Sequence, residues 1–320
     1  MPTAVVTGAA GVMGARLVAR LRRAGWEVRA LVLPGDPLRS RVEALGCDVR
    51  EGNVAEPGTL VGVCAGVDLV YHLAAVIISH DPTVFERVNR DGTANMVAEA
   101  RRSDVEHFVY VSSASVTYPR RTRYAESKLE AELIVQRSGL PYTIVRPTLV
   151  YEQGGGQELM MFLDYLKRFP IVPFIGAGKA LKRPVWSEDI VDGLVRLAGA
   201  AVARGKTYNF SGGEAISMRQ LAELLLQHHD HPRPFLYLPV WLCRALAAVL
   251  GVVMRRPPLT HSAIAGIVND ANLDPADAMR DLGYAPLGVR AGFAHCFPEV
   301  APTASSLSPS AMSIAKGQSR

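Results

Sequence analysis

The amino terminus joins a short apolar run to three closely spaced glycines. Residues Thr3–Thr7 are strand-like, the sequence GAAGVMG follows at Gly8–Gly14, and Ala15–Ala24 has the apolar spacing of a helix. A strand, a glycine turn and a helix in this order bring free backbone N–H groups and the positive end of a helix dipole to one point. Because this arrangement holds phosphates, the chain is predicted to begin with a dinucleotide-binding unit.

Each glycine of this GxxGxxG spacing has its own task. Gly8 permits the tight turn after the strand, and Gly11 lets the backbone approach a pyrophosphate. Gly14 lets the helix pack closely against the strand. The three glycines are therefore predicted cofactor-binding residues.

Short, nearly all-apolar strands alternate with helices through the first half of the chain. This pattern is typical of a parallel sheet covered on both faces, with ligands at the carboxyl ends of its strands. We predict an α/β fold with a Rossmann-type doubly wound parallel sheet as an NAD(P)-binding domain over residues 1–150. The predicted strands after the first are Trp26–Leu33, Cys47–Arg50, Leu69–Leu73, Phe108–Val111 and Tyr142–Val145, and the helices are Arg41–Leu45, Val88–Arg101 and Ala125–Ser138.

The rhythm changes after residue 150, where helical segments dominate. Residues 151–298 are predicted to form a smaller, mostly helical substrate-binding region that also returns chain to the first domain. Residues 299–320 are small and polar without a period, so a disordered tail is expected there. The predicted elements are the helices Leu159–Lys167, Asp189–Ala198 and Met218–His228 and the strand Thr207–Phe210.

The stretch Phe235–Met254 is strongly apolar and long enough to raise the question of a membrane. Pro239 and Arg244 lie inside it, and a charge near mid-span is costly. We therefore favour a buried or substrate-covering helix that starts near Pro239, over a surface helix touching a membrane and over a true span.

Composition excludes several classes of function. The 320 residues carry a formal charge of only +5 and no clustered basic stripe, so nucleic acid is not an expected partner. The four cysteines are far apart, which argues against a disulfide framework or a zinc site and favours the reducing cytoplasm. His228, His229 and His231 lack metal-ligand spacing, so no metal is expected.

The end of the second predicted strand bears on the choice between NAD and NADP. No acid stands at Val32 or Leu33, where a ribose-binding carboxylate would be most direct. Asp36 follows in the loop, and Arg39 or Arg41 could neutralise a 2′-phosphate. The pattern slightly favours NADP over NAD, with Asp36 and Arg39 as cofactor-binding candidates.

A second set of residues points to acid–base chemistry. Tyr124 and Lys128 form YxxxK, which places both side chains on one helical face, and Ser113 lies just after a strand's carboxyl end. A neighbouring ammonium favours the phenolate, so Tyr124 could exchange a proton with an alcohol or ketone while a nicotinamide exchanges hydride. Ser113 would hold the substrate oxygen. His72 is interpreted as a structural histidine.

These motifs together resemble the extended short-chain dehydrogenases/reductases, including the NAD-dependent epimerase/dehydratase group, over about residues 3–297. The resemblance implies Ser113, Tyr124 and Lys128 as the catalytic set, with Lys128 also on the nicotinamide ribose. It implies that the cofactor is lined by Val12, Met13, Asn53, Val54, Leu73, Ala74, Ala75, Asn89, Pro147 and Thr148. The motifs that carry it are TGAAGVMG, YHLAA, VNRDGTAN, VYVSSASV, YAESK, VRPTLVY and YNFSGGEAIS.

Departures from the family pattern narrow the reaction. Ser113-Ala114-Ser115 replaces the Thr-Asp-Glu run of the sugar-nucleotide 4,6-dehydratases, which argues against dehydration. Leu149 stands where epimerases often carry a sugar-contacting Asn, which indicates a less polar substrate. The second half is similar to the 3β-hydroxysteroid dehydrogenase-like branch, and it makes Lys182, Arg183 and Trp186 substrate candidates.

The leading hypothesis is an NAD(P)-dependent oxidoreductase that interconverts a secondary alcohol and a ketone on a largely apolar small molecule. The alternatives are a nucleotide-sugar epimerase that uses transient oxidation at the same Tyr124, and a non-catalytic nucleotide-binding structural subunit. The resemblance also implies a homodimer through a four-helix bundle of Val88–Arg101 and Ala125–Ser138.

Overall fold

The computed structural model describes residues 1–79, 81–153, 156–229, 231–254, 257 and 259–297. Short apolar runs form strands and amphipathic runs form helices, as the sequence pattern indicates. Elements up to residue 151 are β1 (Thr3–Thr7), α1 (Val12–Arg23), β2 (Glu27–Val32), α2 (Ser40–Glu43), β3 (Asp48–Glu51), β4 (Leu69–His72), α3 (Gly92–Arg102, preceded by a π-helical stretch Phe85–Asp91), β5 (His107–Val111), α4 (Arg123–Gln136), β6 (Tyr142–Pro147) and β7 (Val150–Tyr151).

The second half is mostly helical, with short strands between the helices. Its elements are α5 (Gln157–Lys167), β8 (Val172–Ile175), β9 (Leu181–Lys182), β10 (Val185–Trp186), α6 (Ser187–Leu197), β11 (Lys206–Phe210), β12 (Ile216–Ser217), α7 (Met218–His228), β13 (Phe235–Leu238), α8 (Val240–Val253), α9 (His261–Val268), α10 (Ala276–Leu282) and α11 (Val289–Cys296).

Seven of the described strands form one parallel sheet in the order β11-β6-β5-β4-β1-β2-β3. The predicted doubly wound parallel sheet is therefore confirmed, and β11 of the second half completes it beside β6. The strand order reverses between β1 and β4, and ligands of such sheets bind at the carboxyl ends next to that point. The glycine turn follows β1 at this position.

Successive residues of β1 bury their side chains on opposite faces of the sheet. Val6 packs with Leu17 of α1 and Ile190 of α6, while Val5 packs with Met96 of α3 and Ala131 of α4. All these side chains are 0% exposed. Helices packed on both faces thus hold the sheet in place and, with it, the positions of the strand ends.

A third core lies in the second half, beneath α5, α7 and α11. It includes Leu163, Leu225 and Phe293, and the short strand pairs β7–β10, β8–β13 and β9–β12 border it. The boundary at residue 150 stays a prediction. The predicted tail at 299–320 lies outside the described residues.

Helix α8 begins directly after Pro239, as predicted, but it is buried along a narrow line only. Cys243 and Ala247 pack inward, whereas Trp241 is 70% and Val252 88% exposed. The expectation of a buried helix is therefore wrong for its outward face, since helix α9 and strand β8 cover only one side of α8. Among the described residues, no helix combines the length and apolarity needed to cross a membrane.

Candidate functional site

The turn after β1 accepts only glycine at two of its three glycine positions. Gly8 has φ +68°, and a Cβ there would lie 3.0 Å from the backbone nitrogen of Ala74. A Cβ on Gly14 would overlap the carbonyl oxygen of Gly8. A Cβ on Gly11 would meet only that same oxygen, at 3.2 Å, so the space above Gly11 is open. The backbone is thus tightly packed at Gly8 and Gly14, whereas Gly11 leaves room for a ligand to approach.

The residues around this opening fit a dinucleotide diphosphate. Gly11 is the N-cap residue of α1 and provides no side-chain cap. The first turn of α1 holds no acidic residue. The N–H groups and the dipole of α1 therefore face the opening without competition from a carboxylate. Val12 is 38% exposed at its edge, while Met13 packs against the core below.

A chain of hydrogen bonds aligns the turn with the loop after β4. The backbone N–H groups of Leu73 and Ala74 donate to Thr7 Oγ1 at 3.1 and 3.0 Å. Since Thr7 Oγ1 accepts both, its own proton goes to His72 Nδ1, 2.8 Å away. His72 Nε2 then donates to Thr93 Oγ1 at 3.1 Å. His72 is thus held as the neutral Nε2–H form.

Burial keeps this histidine neutral. His72 is 0% exposed, and burial, aided by the charge of Lys128, lowers its pKa to about 3. If His72 also carried a proton on Nδ1, that N–H and the Thr7 hydroxyl proton would point at each other, and neither donor would have an acceptor. His72 therefore has the structural position that the sequence predicted, next to the cofactor loop.

Asn89 connects that loop to helix α4. Its Oδ1 accepts from the backbone N–H of Val76 at 2.8 Å, and its Nδ2 donates to Ser127 Oγ at 3.1 Å. Ser127 lies between Tyr124 and Lys128 in the sequence. Asn89 is 1% exposed, so its amide is committed to this bridge, and Ala75 lies in the segment it holds.

The residues predicted for the ribose lie at the carboxyl end of β2. Asp36 Oδ1 accepts from the backbone N–H of Leu38 at 2.9 Å, which closes a local turn. Arg39 Nε donates to Glu43 at 2.6 Å, and its Nη1 pairs with Glu51. Arg41 is exposed and has no salt bridge to any described residue. Of the two arginines, Arg41 is the one left free for a ligand.

Asn53 and Val54 follow β3 on the same edge of the sheet. Asn53 Nδ2 donates to Glu56 at 2.8 Å, and its Oδ1 accepts from the backbone N–H of Ala55. The carbonyl of Val54 accepts from Asn95 Nδ2 at 2.9 Å. Both residues thus hold a defined turn that borders the predicted adenine position.

Ser113 and Lys128 converge at the carboxyl end of β5. Lys128 Nζ donates to the carbonyl oxygen of Val111 at 2.7 Å and lies 4.3 Å from the centre of the Tyr110 ring. Ser113, two residues beyond Val111, accepts from the backbone N–H of Ser115 at 3.2 Å and begins a short turn of helix. Tyr124 stands one turn before Lys128 on α4.

The protonation of these groups follows from their burial. Burial raises the pKa of Tyr124 well above its ordinary value, and a hydrogen bond with Ser113 acts in the opposite direction. Burial lowers the pKa of Lys128 to about 7, and the Glu132 carboxylate counteracts this. At neutral pH the phenol therefore carries its proton, and Lys128 is near the midpoint of its titration.

A buried ion pair behind Lys128 was not found from the sequence. Arg146 donates to Glu132 through Nε at 2.9 Å and Nη2 at 2.5 Å, and Ser112 Oγ donates to the same carboxylate at 2.5 Å. The adjacent serines thus have different partners, because Ser112 donates to Glu132 of α4, whereas the Ser113 hydroxyl lies 2.9 Å from Ser115 Oγ. No spacing in the sequence indicates the pairing of Glu132 with Arg146, because the two residues lie on different elements, α4 and β6.

Glu158, at the start of α5, is a second group missed from the sequence. Its charge raises the pKa values of Tyr118 and Tyr124. Helix α5 therefore brings an acidic side chain from the second half toward the tyrosine of the first half.

Other predicted residues lie at the far side of the site, after β6. Pro147 ends β6, Thr148 Oγ1 donates to the carbonyl of Arg183, and Leu149 packs against the core of the second half. Lys182 is 2% exposed and donates to the carbonyl oxygens of Gly266 (2.8 Å) and Asn269, so its ammonium is committed within the protein. Arg183 Nε donates to Asn272 at 2.7 Å, and Trp186 stacks on His295 at 5.1 Å between ring centres.

Comparison with known proteins gives matches along most of the chain. A model of the NAD dependent epimerase/dehydratase family matches residues 4–211. The chain is 28% identical to the 4-hydroxy-2-methyl-3-oxo-4-farnesyl-3,4-dihydroquinoline-1-oxide ketoreductase of Stigmatella aurantiaca, covering 88% of this chain and 91% of that protein. It is 25% identical to the 3-beta-hydroxysteroid dehydrogenase of Mycolicibacterium neoaurum, covering 92% and 90%.

A solved structure shares the fold. The dTDP-glucose 4,6-dehydratase DesIV of Streptomyces venezuelae, with NAD and TYD bound, superposes with a TM-score of 0.70 at 21% identity, over 92% of this chain and 95% of that one. The parallel sheet, the glycine turn and the matched family model together define an NAD(P)-dependent oxidoreductase of the extended short-chain dehydrogenase/reductase type. The chain belongs to the NAD-dependent epimerase/dehydratase family.

Proposed function

We propose that this protein interconverts a ketone and a secondary alcohol on a largely apolar small molecule, with Tyr124 as the general acid/base. The observation that carries the proposal is the convergence of Ser113, Tyr124 and Lys128 around the ends of β5 and α4. The bound nicotinamide would supply hydride to the carbonyl carbon or accept it from the alcohol carbon.

Tyr124 moves the proton in this reaction. Its buried phenol is protonated at neutral pH, so in the direction of reduction it donates that proton to the substrate oxygen as the carbon receives hydride. In the reverse direction the phenolate takes the alcohol proton while hydride leaves the carbon. The raised pKa keeps Tyr124 protonated at neutral pH, which is the form that reduction of a ketone needs.

Ser113 and Lys128 support the proton transfer. Ser113 holds the substrate oxygen beside the phenol, since its hydroxyl interacts with Tyr124. Lys128, held by the carbonyl of Val111, places a cation that stabilises the phenolate left after donation. It is also the residue proposed to contact the nicotinamide ribose.

Two observations support an apolar substrate. Leu149 packs against the second core at the place where a sugar-contacting amide would help an epimerase. The two relatives described above are named for a farnesylated quinoline oxide and a steroid, both with large apolar bodies. The buried ammonium of Lys182 is engaged by two carbonyls, which weakens its case as a phosphate ligand.

We also propose a preference for NADPH over NADH. Asp36 closes a turn with Leu38 instead of standing free for a ribose hydroxyl. Arg41 is exposed on α2, the helix that follows β2 in the chain, and it would supply the positive charge that a 2′-phosphate needs. Arg39 is held by two carboxylates and is the weaker candidate.

The test measures oxidation of NADPH and NADH by the purified protein with three substrates. These are a steroid ketone, a farnesylated aromatic ketone and a UDP-sugar. We expect consumption of NADPH with at least one apolar ketone, and little with the sugar nucleotide. Arg41→Ala should raise the KM for NADPH but not for NADH, while Arg23→Ala, an exposed arginine at the end of α1, serves as the matched control.

Other outcomes would overturn the proposal. Epimerisation of the UDP-sugar without net cofactor oxidation would establish the epimerase alternative. Tight cofactor binding without turnover of any ketone, alcohol or sugar nucleotide would establish a structural nucleotide-binding role.

A further inference from the structure

The outward face of helix α8 is apolar along its whole length. Seen down the helix axis, its exposed positions other than Gly251 fall within one sector of less than half the circumference. The face is formed by Trp241, Leu242, Ala245, Leu246, Ala248, Val249, Val252 and Val253, all exposed. Cys243 and Ala247 lie on the opposite side and attach α8 to Ile175 and Ile264. The helix is therefore anchored on one side and presents an apolar surface on the other.

This surface is the main exposed apolar patch in the described part of the chain. Nine of the exposed large apolar side chains lie between Leu236 and Met254, and elsewhere such residues are scattered singly or in pairs. Val249 is 60%, Val252 88% and Val253 77% exposed. A contiguous patch of this kind marks an interaction surface.

The charge around the patch has one sign. Residues 231–269 contain no Asp or Glu, and they contain four arginines, of which Arg255 and Arg256 follow α8 directly in the sequence. Arg244 lies on α8 itself, at the border between its buried and exposed sides. An apolar helix in a stretch of chain that carries arginines and no carboxylate is complementary to an anionic lipid surface.

The dimensions exclude a span and favour a position in the plane of the interface. Helix α8 has 14 residues, or about 21 Å at 1.5 Å per residue. This is shorter than the hydrocarbon core of a bilayer, at about 30 Å. Trp241, exposed at the start of α8, is a residue type that favours the headgroup region.

We propose that the outward face of α8 docks on the surface of an anionic lipid bilayer, with the helix lying in the interface. A second copy of the chain is the less favoured occupant, because α8 offers no carboxylate to pair with Arg244 of the other copy. The docking does not depend on the proposed reaction, since α8 is outside the group of residues assigned to it.

The test is co-sedimentation of the full chain with vesicles. One set contains phosphatidylcholine alone and the other phosphatidylcholine mixed with phosphatidylglycerol. We expect binding to the mixed vesicles that is at least tenfold stronger and that weakens as salt is added. Absence of binding to the mixed vesicles, or equal binding to both sets, would overturn the proposal.

Two variants separate the apolar and the charged contributions. Replacing Trp241, Val249 and Val252 together by Ser should weaken vesicle binding at least tenfold, and Arg244→Glu should weaken it for the anionic vesicles. The matched control replaces Val61 and Val202, exposed elsewhere, by Ser and should leave binding unchanged. The serine variants should keep the melting temperature of the unaltered chain, because the changed side chains are exposed. Arg244 is only partly exposed, so a melting curve of Arg244→Glu is measured to show that this variant is folded.

The same variants distinguish the other occupant and the proposed reaction. Loss of a concentration-dependent dimer in the triple-serine variant, without vesicle binding by the original chain, would assign the face to a second copy and overturn the proposal. Reduction of a water-soluble ketone should be unaffected by the triple-serine change. If the ketone assay failed, the vesicle-binding result could therefore still be interpreted on its own.

Discussion

The strands of the central sheet and helix α8 are both apolar, yet they differ in how much of their surface is buried. Val5, Val70 and Val109 are fully buried because helices cover both faces of the sheet. In α8 only Cys243 and Ala247 are buried. An apolar segment therefore indicates a surface that favours burial. How much of that surface is buried within the chain depends on the tertiary neighbours.

Polar groups differ between the two regions in the same way. Behind the sheet's carboxyl edge, Thr7, His72 and Thr93 form one continuous hydrogen-bonded chain, and Glu132 pairs with Arg146. Removing one partner of such a buried pair lowers the free energy of unfolding, because the other partner is left without its hydrogen bond or counter-charge. The outward face of α8 has no polar group to lose. Substitutions in the sheet region should therefore have large effects, and those on α8 small ones.

The largest effect is expected at Tyr124. Tyr124→Phe keeps the ring that packs edge-on against Phe85 at 6.3 Å but removes the proton donor. We expect kcat to fall about 10³-fold, equivalent to about 4 kcal/mol, because positioned acid–base groups contribute on this scale. The measurement is steady-state reduction of an apolar ketone, with thermal shift by NADPH as the control for cofactor binding. A variant with unchanged kcat would remove Tyr124 from the mechanism.

The buried pair behind Lys128 should come next. Arg146→Met leaves the Glu132 carboxylate, 2% exposed, without its cation, and we expect a loss of about 3–5 kcal/mol in the free energy of unfolding. Urea denaturation measures this loss. The double variant Glu132→Gln with Arg146→Met should recover a large part of it, because a neutral amide then replaces the buried carboxylate, while Lys128, with its pKa lowered to about 7, can lose its proton. If the single variant is as stable as the double variant, the pair has no such role.

The sequence predicted the sheet because its strands are short apolar runs with a glycine turn at a fixed place. Strand β1 has its predicted bounds, and Tyr124 and Lys128 share α4 as YxxxK indicates. What could not be predicted depends on partners distant in sequence. The pairing of Glu132 with Arg146 joins two elements, and β7 and β10, with two residues each, exist only through pairing with each other.

Some of the predicted cofactor-binding residues are likewise specified by the local sequence, and others depend on side-chain partners. Gly8 and Gly14 are specified by backbone geometry, which a glycine spacing encodes directly. The positions of Asp36 and Arg39 depend on which nearby group each side chain bonds, and Arg39 bonds to Glu43 and Glu51. Side-chain competition of this kind leaves no periodic pattern in a sequence.

Acid should destabilise the sheet region through its buried histidines. Burial lowers the pKa of His72 to about 3 and that of His107 to about 4, from the ordinary value of 6.5. Between these values and 6.5 the unfolded chain binds more protons, so stability is complete above pH 6.5 and is lost as pH falls. Each histidine should contribute about 2–3 kcal/mol of loss between pH 6.5 and 4.5.

The melting temperature measured against pH checks this expectation. His72→Gln and His107→Gln, which keep a neutral hydrogen-bonding side chain, should each flatten the curve below pH 6.5. An equally steep curve in both variants would show that other groups cause the acid sensitivity. His228→Gln is the matched control, since that histidine is partly exposed and its substitution should leave the curve unchanged.

The smallest effect is expected on α8, where the same substitution can be made as in the sheet region. Leu17→Ala in α1 removes a fully buried side chain and should cost about 2–5 kcal/mol, whereas Leu246→Ala, 48% exposed, should change stability by less than about 0.5 kcal/mol. Both residues are leucines within helices, so helix propensity cancels in the comparison. Urea denaturation of the two variants measures the difference. A loss above about 1 kcal/mol for Leu246→Ala would mean that the chain covers this face itself, and the contrast between α8 and the sheet would then disappear.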